Sequence, residues 1–572
     1  MKKNDFIIVG ILVALMFAWM NFYPALERKF FPRPEQPVQA AAPSAPQQPV
    51  PSTVEKPAAK IEAAAQRVPT VEKPSVPEQT VTLANEDIEL TISSYGGAVV
   101  SAVMKNYPAE NRKNSGPMVL DFTNAPALRY AELPVPVGVL EKTEEGVRYV
   151  AALGDGRFFE RSFKLEGEYL LSVEDSFVNS GTAPWALPAL RLPTGPMSEA
   201  KGTTAMAGLV TLGVDSFSPS EEGVHHWGKE LHKLFRSVSG SGMITSTAEQ
   251  IAPRPASWIA SKNKFFVQIL TPETSADAFD LSVRREGEGK KAVPVEVAAS
   301  LQFDSEVIAA GATLARKTSA YIGPKDYGFL KTRGMDQVEV MEFRSMGFWK
   351  FMNPVMYPIK VGLLWGLKAL ENVVRNYGVA IMLLTIVVRV IFWPITHKGT
   401  ESMRRMQALQ PQLKELQAKY KDNPQRMQQE VMKFYKENKV NPMGGCLPML
   451  IQIPVFIALF VVLRSAIELR FSKFLWIRDL SEPEHLFAGM IPIVGSLNIL
   501  PLLMSATMVW QQKLTPSAGD PQQQKMMAIM MPIMMLFFFY TMPSGLVLYW
   551  TTSNLIMIVQ MMIKKPASAG VR

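Results

Sequence analysis

Arg389 constrains the chemistry of this chain more than any other residue. It stands at the thirteenth position of an apolar stretch, 377–396. On a helix it would lie about 12 Å from His397, at a rise of 1.5 Å per residue. A charge at that depth costs about 2.5–3.5 kcal/mol on insertion scales. Its long side chain recovers part of that cost by reaching toward the surface. Thr385 precedes it by four positions and Thr396 follows it by seven, which puts all three on one helix face. Four more apolar stretches follow, at about 443–464, about 487–511, 525–543 and 545–563, and none of the five contains Asp, Glu or His. Arg389 therefore faces water, or a charge carried by another molecule. Proton- and sodium-coupled carriers need ionisable relays within the membrane. Their absence weighs against an ion-coupled transporter, and a small-molecule transporter or channel stays the alternative reading. Gln452, Ser505, Thr507, Thr551, Thr552, Ser553, Asn554 and Gln560 are the milder polar residues of these stretches. Such residues tie helices together, or with Arg389 they line a wet groove.

Other chemistry is missing. No Gly-x-x-x-x-Gly-Lys-Ser/Thr occurs, so there is no P-loop. The five histidines, at 225, 226, 232, 397 and 485, make no metal-ligand spacing. His225 and His226 are adjacent, so on a strand they point to opposite faces and read as ordinary surface residues. The one cysteine, Cys446, allows no intramolecular disulfide and reads as a small packing residue. The sequence predicts no enzyme, no metal and no cofactor.

The elements that would position Arg389 follow from composition. Hydrophobic residues make up 48% of the chain and charged ones 19%, against about 25% charged in soluble domains. A wholly soluble protein is thereby disfavoured. Residues 6–23 are uncharged and just long enough to span about 30 Å of hydrocarbon. No small-residue cleavage site follows closely, so 1–24 reads as an uncleaved anchor, with Lys2 and Lys3 holding the N-terminus inside. Eleven prolines and no aromatic residue in 32–77 make 25–78 a tether rather than a core.

From 79 to 340 short stretches rich in β-branched and aromatic residues alternate with turns. They are Thr80–Leu83, Ile88–Ile92, Val147–Leu153, Phe158–Phe163, Tyr169–Phe177 and Phe265–Leu270. One large all-β sandwich is predicted. Residues 343–374 read as an amphipathic helix lying in the headgroup plane, with a cap on the β domain as the other reading. With the anchor, the apolar stretches give six spans, N-in and C-in. The inside segment 397–442 carries ten Lys/Arg against five Asp/Glu, while the outside segment 465–485 carries three against four, in line with the positive-inside rule. Met403, Met406, Leu409, Leu413, Leu416 and Tyr420 follow helical spacing. Lys421-Asp-Asn-Pro424 breaks it, and Met427, Val431, Phe434 and Tyr435 begin a second arm. This is a helical hairpin, kinked at Pro411. Its basic faces suit lipid phosphates or ribosomal RNA. A short tail, 564–572, closes the chain. Of the 33 methionines, 24 lie after residue 340, and their pliable thioethers suit varied apolar partners.

Four motifs carry a resemblance: Thr385-Ile-Val-Val-Arg389 with Pro394; Leu409-Gln410-Pro411; Lys439 to Pro448 continuing through Gln452-Ile-Pro454; and Pro543-Ser-Gly-Leu-Val-Leu-Tyr549-Trp-Thr-Thr-Ser-Asn554. In this order the chain resembles the YidC/Oxa/Alb family of membrane protein insertases, in its Gram-negative form. The resemblance implies a multi-domain α + β protein of the bacterial inner membrane, with a periplasmic domain like a β-supersandwich. It implies an insertase and chaperone whose hydrophilic groove opens to the cytoplasm and lipid and is closed toward the periplasm. Arg389, Thr385, Gln452, Tyr549, Thr552, Ser553 and Asn554 would line the groove. Phe456, Met527, Met530 and Met534 would offer clients a sliding surface. Met403, Met406, Leu413 and Leu416 would belong to the cytoplasmic hairpin. Implied partners are nascent membrane proteins, the Sec translocon and anionic lipids. The ribosome and the signal recognition particle or its receptor stay open as further partners.

Overall fold

The computed structural model describes residues 76–563 except 113, 134–136, 204–210, 220–222, 229–241, 247–254, 287–292, 345–346, 421–422, 439–446, 487–495 and 516–520. The N-terminal anchor, nearly all of the tether, Cys446 and the tail lie outside the described residues.

All six stretches expected to be extended coincide with strands, within two residues at either end. Their alternation explains the layering. In Val147–Gly154 the residues Val147, Tyr149 and Ala151 are buried, whereas Arg148 and Ala152 are exposed, as expected for a strand with one face on a core. The largest sheet has nine strands, all antiparallel, in the order Val224–His226, Gly213–Phe217, Trp258–Lys262, Phe266–Pro272, Thr313–Pro324, Leu170–Asn179, Arg157–Leu165, Val147–Gly154 and Val139–Lys142. A second sheet is built on Ala278–Glu286 and Val293–Phe303. A four-stranded meander, Thr80–Asp121, forms a third. Gly97, at φ +56°, and Gly138 lie so close to the Tyr149 ring that a Cβ on either would collide with it. The last strand of the β domain stops at Pro324, and the chain continues into helix α1, Tyr327–Thr332, and a 3-10 turn, Gln337–Met341.

Eight further helices follow: α2 Asn353–Val374, α3 Tyr377–Ala408, α4 Gln410–Lys419, α5 Pro424–Glu437, α6 Leu447–Ser465, α7 Ile499–Leu514, α8 Pro521–Phe539 and α9 Ser544–Ile563. Two boundaries correct the sequence reading. The helix that contains the span 377–396 does not stop at Thr396. Helix α3 passes through Pro394 and continues to Ala408, so Met403 and Met406 lie on it and not on a hairpin arm. The break falls at Leu409, and Pro411 sits in the first turn of α4, where its missing N–H costs no hydrogen bond. Helix α7 starts at Ile499 rather than near 487. Leu497, just before it, pairs with Leu486 as an isolated bridge.

Among the described residues, two helical segments are long and apolar enough to cross a bilayer, Tyr377–Pro394 and Ser544–Ile563. Gln452–Ser465 and Ala528–Phe539 are shorter apolar helices. Helix α9 is central: Ser544 through Tyr549 and Thr551 through Asn554 are all buried. It packs on α3, α6 and α7. Helix α2 packs on α3 and α6 and turns its charges inward. Lys360 donates to the Phe343 carbonyl at 2.6 Å, and Lys368 pairs with Asp326 and Glu468. Its outer face presents Val355, Trp365 and Val373, all exposed, and Phe351 is exposed in the 3-10 turn Gly347–Met352 just before it.

Candidate functional site

Helix α3 presents two faces. Ile386, Val387, Val390, Ile391 and Trp393 are exposed, while Thr385, Val388 and Arg389 are buried. The buried face meets α9. There the Arg389 Nε donates to the Ser553 hydroxyl at 2.8 Å, and its Nη2 donates to the same oxygen. Among the described residues no carboxylate pairs with Arg389. Its buried cation is answered by one neutral hydroxyl, a weaker partner than the bidentate carboxylate a guanidinium matches best. Sequence reading named both residues but did not pair them, because 164 positions separate them.

The other named polar residues gather around this clasp. Thr385 is fully buried and donates to the Ile381 carbonyl at 2.6 Å, within its own helix. Gln452 of α6 donates to the Tyr549 hydroxyl at 2.5 Å. Asn554 donates to Thr507 of α7 at 3.3 Å. Thr552 is buried beside them. Arg389 and Ser553, Gln452 and Tyr549, and Asn554 and Thr507 thus each link α9 to a different neighbour. The arrangement holds a buried cation and a polar seam inside an apolar bundle.

The expected sliding residues separate. Phe456 is half-buried: its ring lies 5.0 Å from Trp550 and 5.9 Å from Phe539. These T-shaped contacts link α6, α8 and α9. Met530 and Met534 are half-buried on α8, and the Met527 and Met403 side chains lie outside the described residues. Met406 and Leu416 are half-buried on α3 and α4, whereas Leu413 is buried.

The ends of the helices nearest the β domain are closed by the segment 466–486. Glu484 accepts the backbone N–H groups of Ile499 and Leu500 at 2.5 and 2.8 Å, which caps α7. The Leu480 and Glu482 carbonyls accept the N–H groups of Gly545 and Ser544, both at 2.9 Å. Gly378, at the start of α3, lies so close to the Phe474 ring that a Cβ would collide with it.

Sequence reading missed a buried ionic cluster where the β domain meets the helices. Lys262 Nζ lies 2.6 Å from Asp215 and 2.9 Å from Glu342, and donates to the Val340 carbonyl at 3.0 Å. His226 Nδ1 lies 2.8 Å from Asp215, so His226 is a half-buried partner and not a surface residue. Burial works against the Lys262 charge. Even so, Asp215 and Glu342 raise Lys262, and Lys262 and His226 hold Glu342 well below the usual carboxylate range. Nearby Lys325 pairs with none of the described residues. Burial, then Lys262, bring it down to about 7. The charged residues within otherwise apolar strands, at Asp215 and Lys262, were the signal available in the sequence.

The chain matches the family described as 60Kd inner membrane protein over residues 369–568, and the YidC periplasmic domain over residues 138–345. The membrane protein insertase YidC of Syntrophus aciditrophicus (strain SB) is 33% identical over 542 residues, covering 91% of each chain. That of Chlorobaculum tepidum is 30% identical over 601 residues, covering 98% of this chain and 94% of its own. An active YidC insertase crystal structure covers 88% of this chain and 96% of its own at 19% identity, with a TM-score of 0.36. The family is therefore carried by sequence: on relatives matched over more than nine-tenths of its length and on family models over 138–345 and 369–568, this chain belongs to the YidC family of membrane protein insertases.

Proposed function

We propose that this protein inserts and helps fold inner-membrane proteins by holding a translocating polar flank against Arg389. It acts alone on simple clients and with the Sec translocon on others. The observation that carries this reading is the buried Arg389, whose one hydrogen-bond partner among the described residues is the Ser553 hydroxyl. An incoming carboxylate offers the guanidinium a stronger partner than serine does. Opening the α3–α9 seam admits it, and Thr385, Gln452, Tyr549, Thr552 and Asn554 solvate the rest of the flank. The client's apolar span leaves into lipid past the half-buried Met530 and Met534.

In this reading the chain crosses the membrane six times, with both termini inside. The described helices support that sense. Helices α3, α7 and α9 begin at the β-domain end, and α6 and α8 finish there, as alternating spans require. The hairpin α4–α5 then lies on the cytoplasmic side, available to clients, to anionic lipids and to the ribosome or its targeting factors.

Photo-crosslinking tests the proposal. A benzophenone amino acid at Thr552 is expected to capture an acidic-flanked nascent client during translation, and to lose it when the flank is neutral. A crosslink yield indifferent to the flank would overturn the role given to Arg389.

A further inference from the structure

Lys264 sits at the turn between two strands of the largest sheet, after Trp258–Lys262 and before Phe266–Pro272. It reaches out of the β domain. Its Nζ donates to the Ser481 carbonyl at 2.9 Å and pairs with the Glu482 carboxylate. Both side chains are almost wholly buried, at 5% and 7% exposure. The Glu482 backbone carbonyl meanwhile accepts from the first residue of α9, through the Ser544 N–H at 2.9 Å and its hydroxyl at 2.7 Å. One residue therefore joins the β domain to the helix that carries Ser553. A side chain grips Lys264 and a main-chain carbonyl grips α9. Arg470 reinforces the same segment, donating to the Pro108 and Ala109 carbonyls at 2.8 and 3.1 Å.

We infer that Lys264 and Glu482 are positioning residues for insertion: the β domain, acting through this pair, holds the start of α9 and keeps the β-domain end of the bundle shut. The inference rests on the insertase reading above, in which α9 must stay anchored at this end while its Arg389–Ser553 seam opens. A buried ion pair broken on one side leaves an uncompensated charge, so the segment is expected to release rather than adjust. Two neighbouring contacts would then be lost together, the Ser544 N–H to the Glu482 carbonyl and the Gly545 N–H to the Leu480 carbonyl, both at 2.9 Å.

The test uses the full-length protein in sealed liposomes carrying a pH dye, without any client. Lys264→Met and Glu482→Gln are each expected to raise passive proton leak about tenfold. The exchanged pair, Lys264→Glu with Glu482→Lys, is expected to return it to within about twofold of the parent. In the same vesicles insertion of a single-span client is expected to fall about fivefold in the single variants and to recover in the exchanged pair. Unchanged leak in both single variants would overturn the inference. So would a leak that the exchanged pair fails to restore while melting temperatures stay equal. Because the leak needs no client, it moves independently of what Arg389 receives, and the two proposals can fail separately.

Discussion

At the scale of single residues, two cations decide different things. Arg389 is buried against Ser553 without a carboxylate among the described residues. Arg389→Lys keeps the charge but loses the planar fork, and is expected to retain much insertion. Arg389→Ala and Arg389→Glu are expected to impair acidic-flanked clients more than neutral ones. Ser553→Asp supplies the missing carboxylate from within, and is expected to block acidic flanks while leaving the protein folded. Insertion assays with paired acidic and neutral clients check this, and equal impairment of both would assign Arg389 a structural role. Lys325 acts on stability instead. Its folded pKa of about 7 lies below the ordinary lysine value, so between these the unfolded chain binds more protons. Stability therefore rises with pH from about 7 upward, and below 7 the whole penalty is present. It reaches at most about 5 kcal/mol, at 1.36 kcal/mol per pKa unit. Lys325→Met is expected to raise the melting temperature of the full-length protein most at pH 6 and hardly at all near pH 10. A gain that does not change with pH would contradict the assignment.

At the scale of elements, local pattern was legible and long-range pairing was not. Strands such as Val147–Gly154 announce themselves by alternation, and α5 by Asn423 and Pro424. The Asn423 side chain accepts the Arg426 N–H at 3.1 Å, an N-cap readable from the residue alone. The continuation of α3 to Ala408 was hidden because polarity changes at His397 while the backbone does not. The late start of α7 was hidden for the opposite reason, since apolar 487–498 reads as span although its end at Ser496–Asn498 is not helical. The Arg389–Ser553 clasp and the Lys264–Glu482 tie join residues 164 and 218 positions apart, which no local pattern reports. Helices α4 and α5 pack against each other beyond the end of α3. Leu416→Pro or Met432→Pro is expected to cost about 3 kcal/mol of local helix stability. Both should abolish client capture while the spans still insert. Insertion rates equal to the parent's would make the pair of helices a mere connector.

At the scale of the whole molecule, the relevant balance is between what a client gains and what its flank costs. A span of about 20 residues at about 0.3–0.6 kcal/mol each gains roughly 6–12 kcal/mol on entering lipid. Each charge carried across costs about 3 kcal/mol or more. The gain is fixed by the span, so two to four charges offset it. One buried cation, Arg389, can compensate one carboxylate, and the described part of the seam offers only neutral groups beyond it: Thr385, Gln452, Tyr549, Thr552, Ser553 and Asn554. The protein alone should therefore serve short, weakly charged flanks, and longer charged ones should require the Sec translocon. A protein that only folds helices already inserted by Sec would show no such dependence. Purified protein in liposomes, given a single-span client with zero to six acidic residues in its translocated flank, separates these. Protease-protected product is expected to hold at one acidic residue, where Arg389 answers it, and to fall steeply from two to four. Removing Arg389 should shift the fall one charge earlier. A flat response, or no insertion at zero charges, would exclude autonomous insertion by this route.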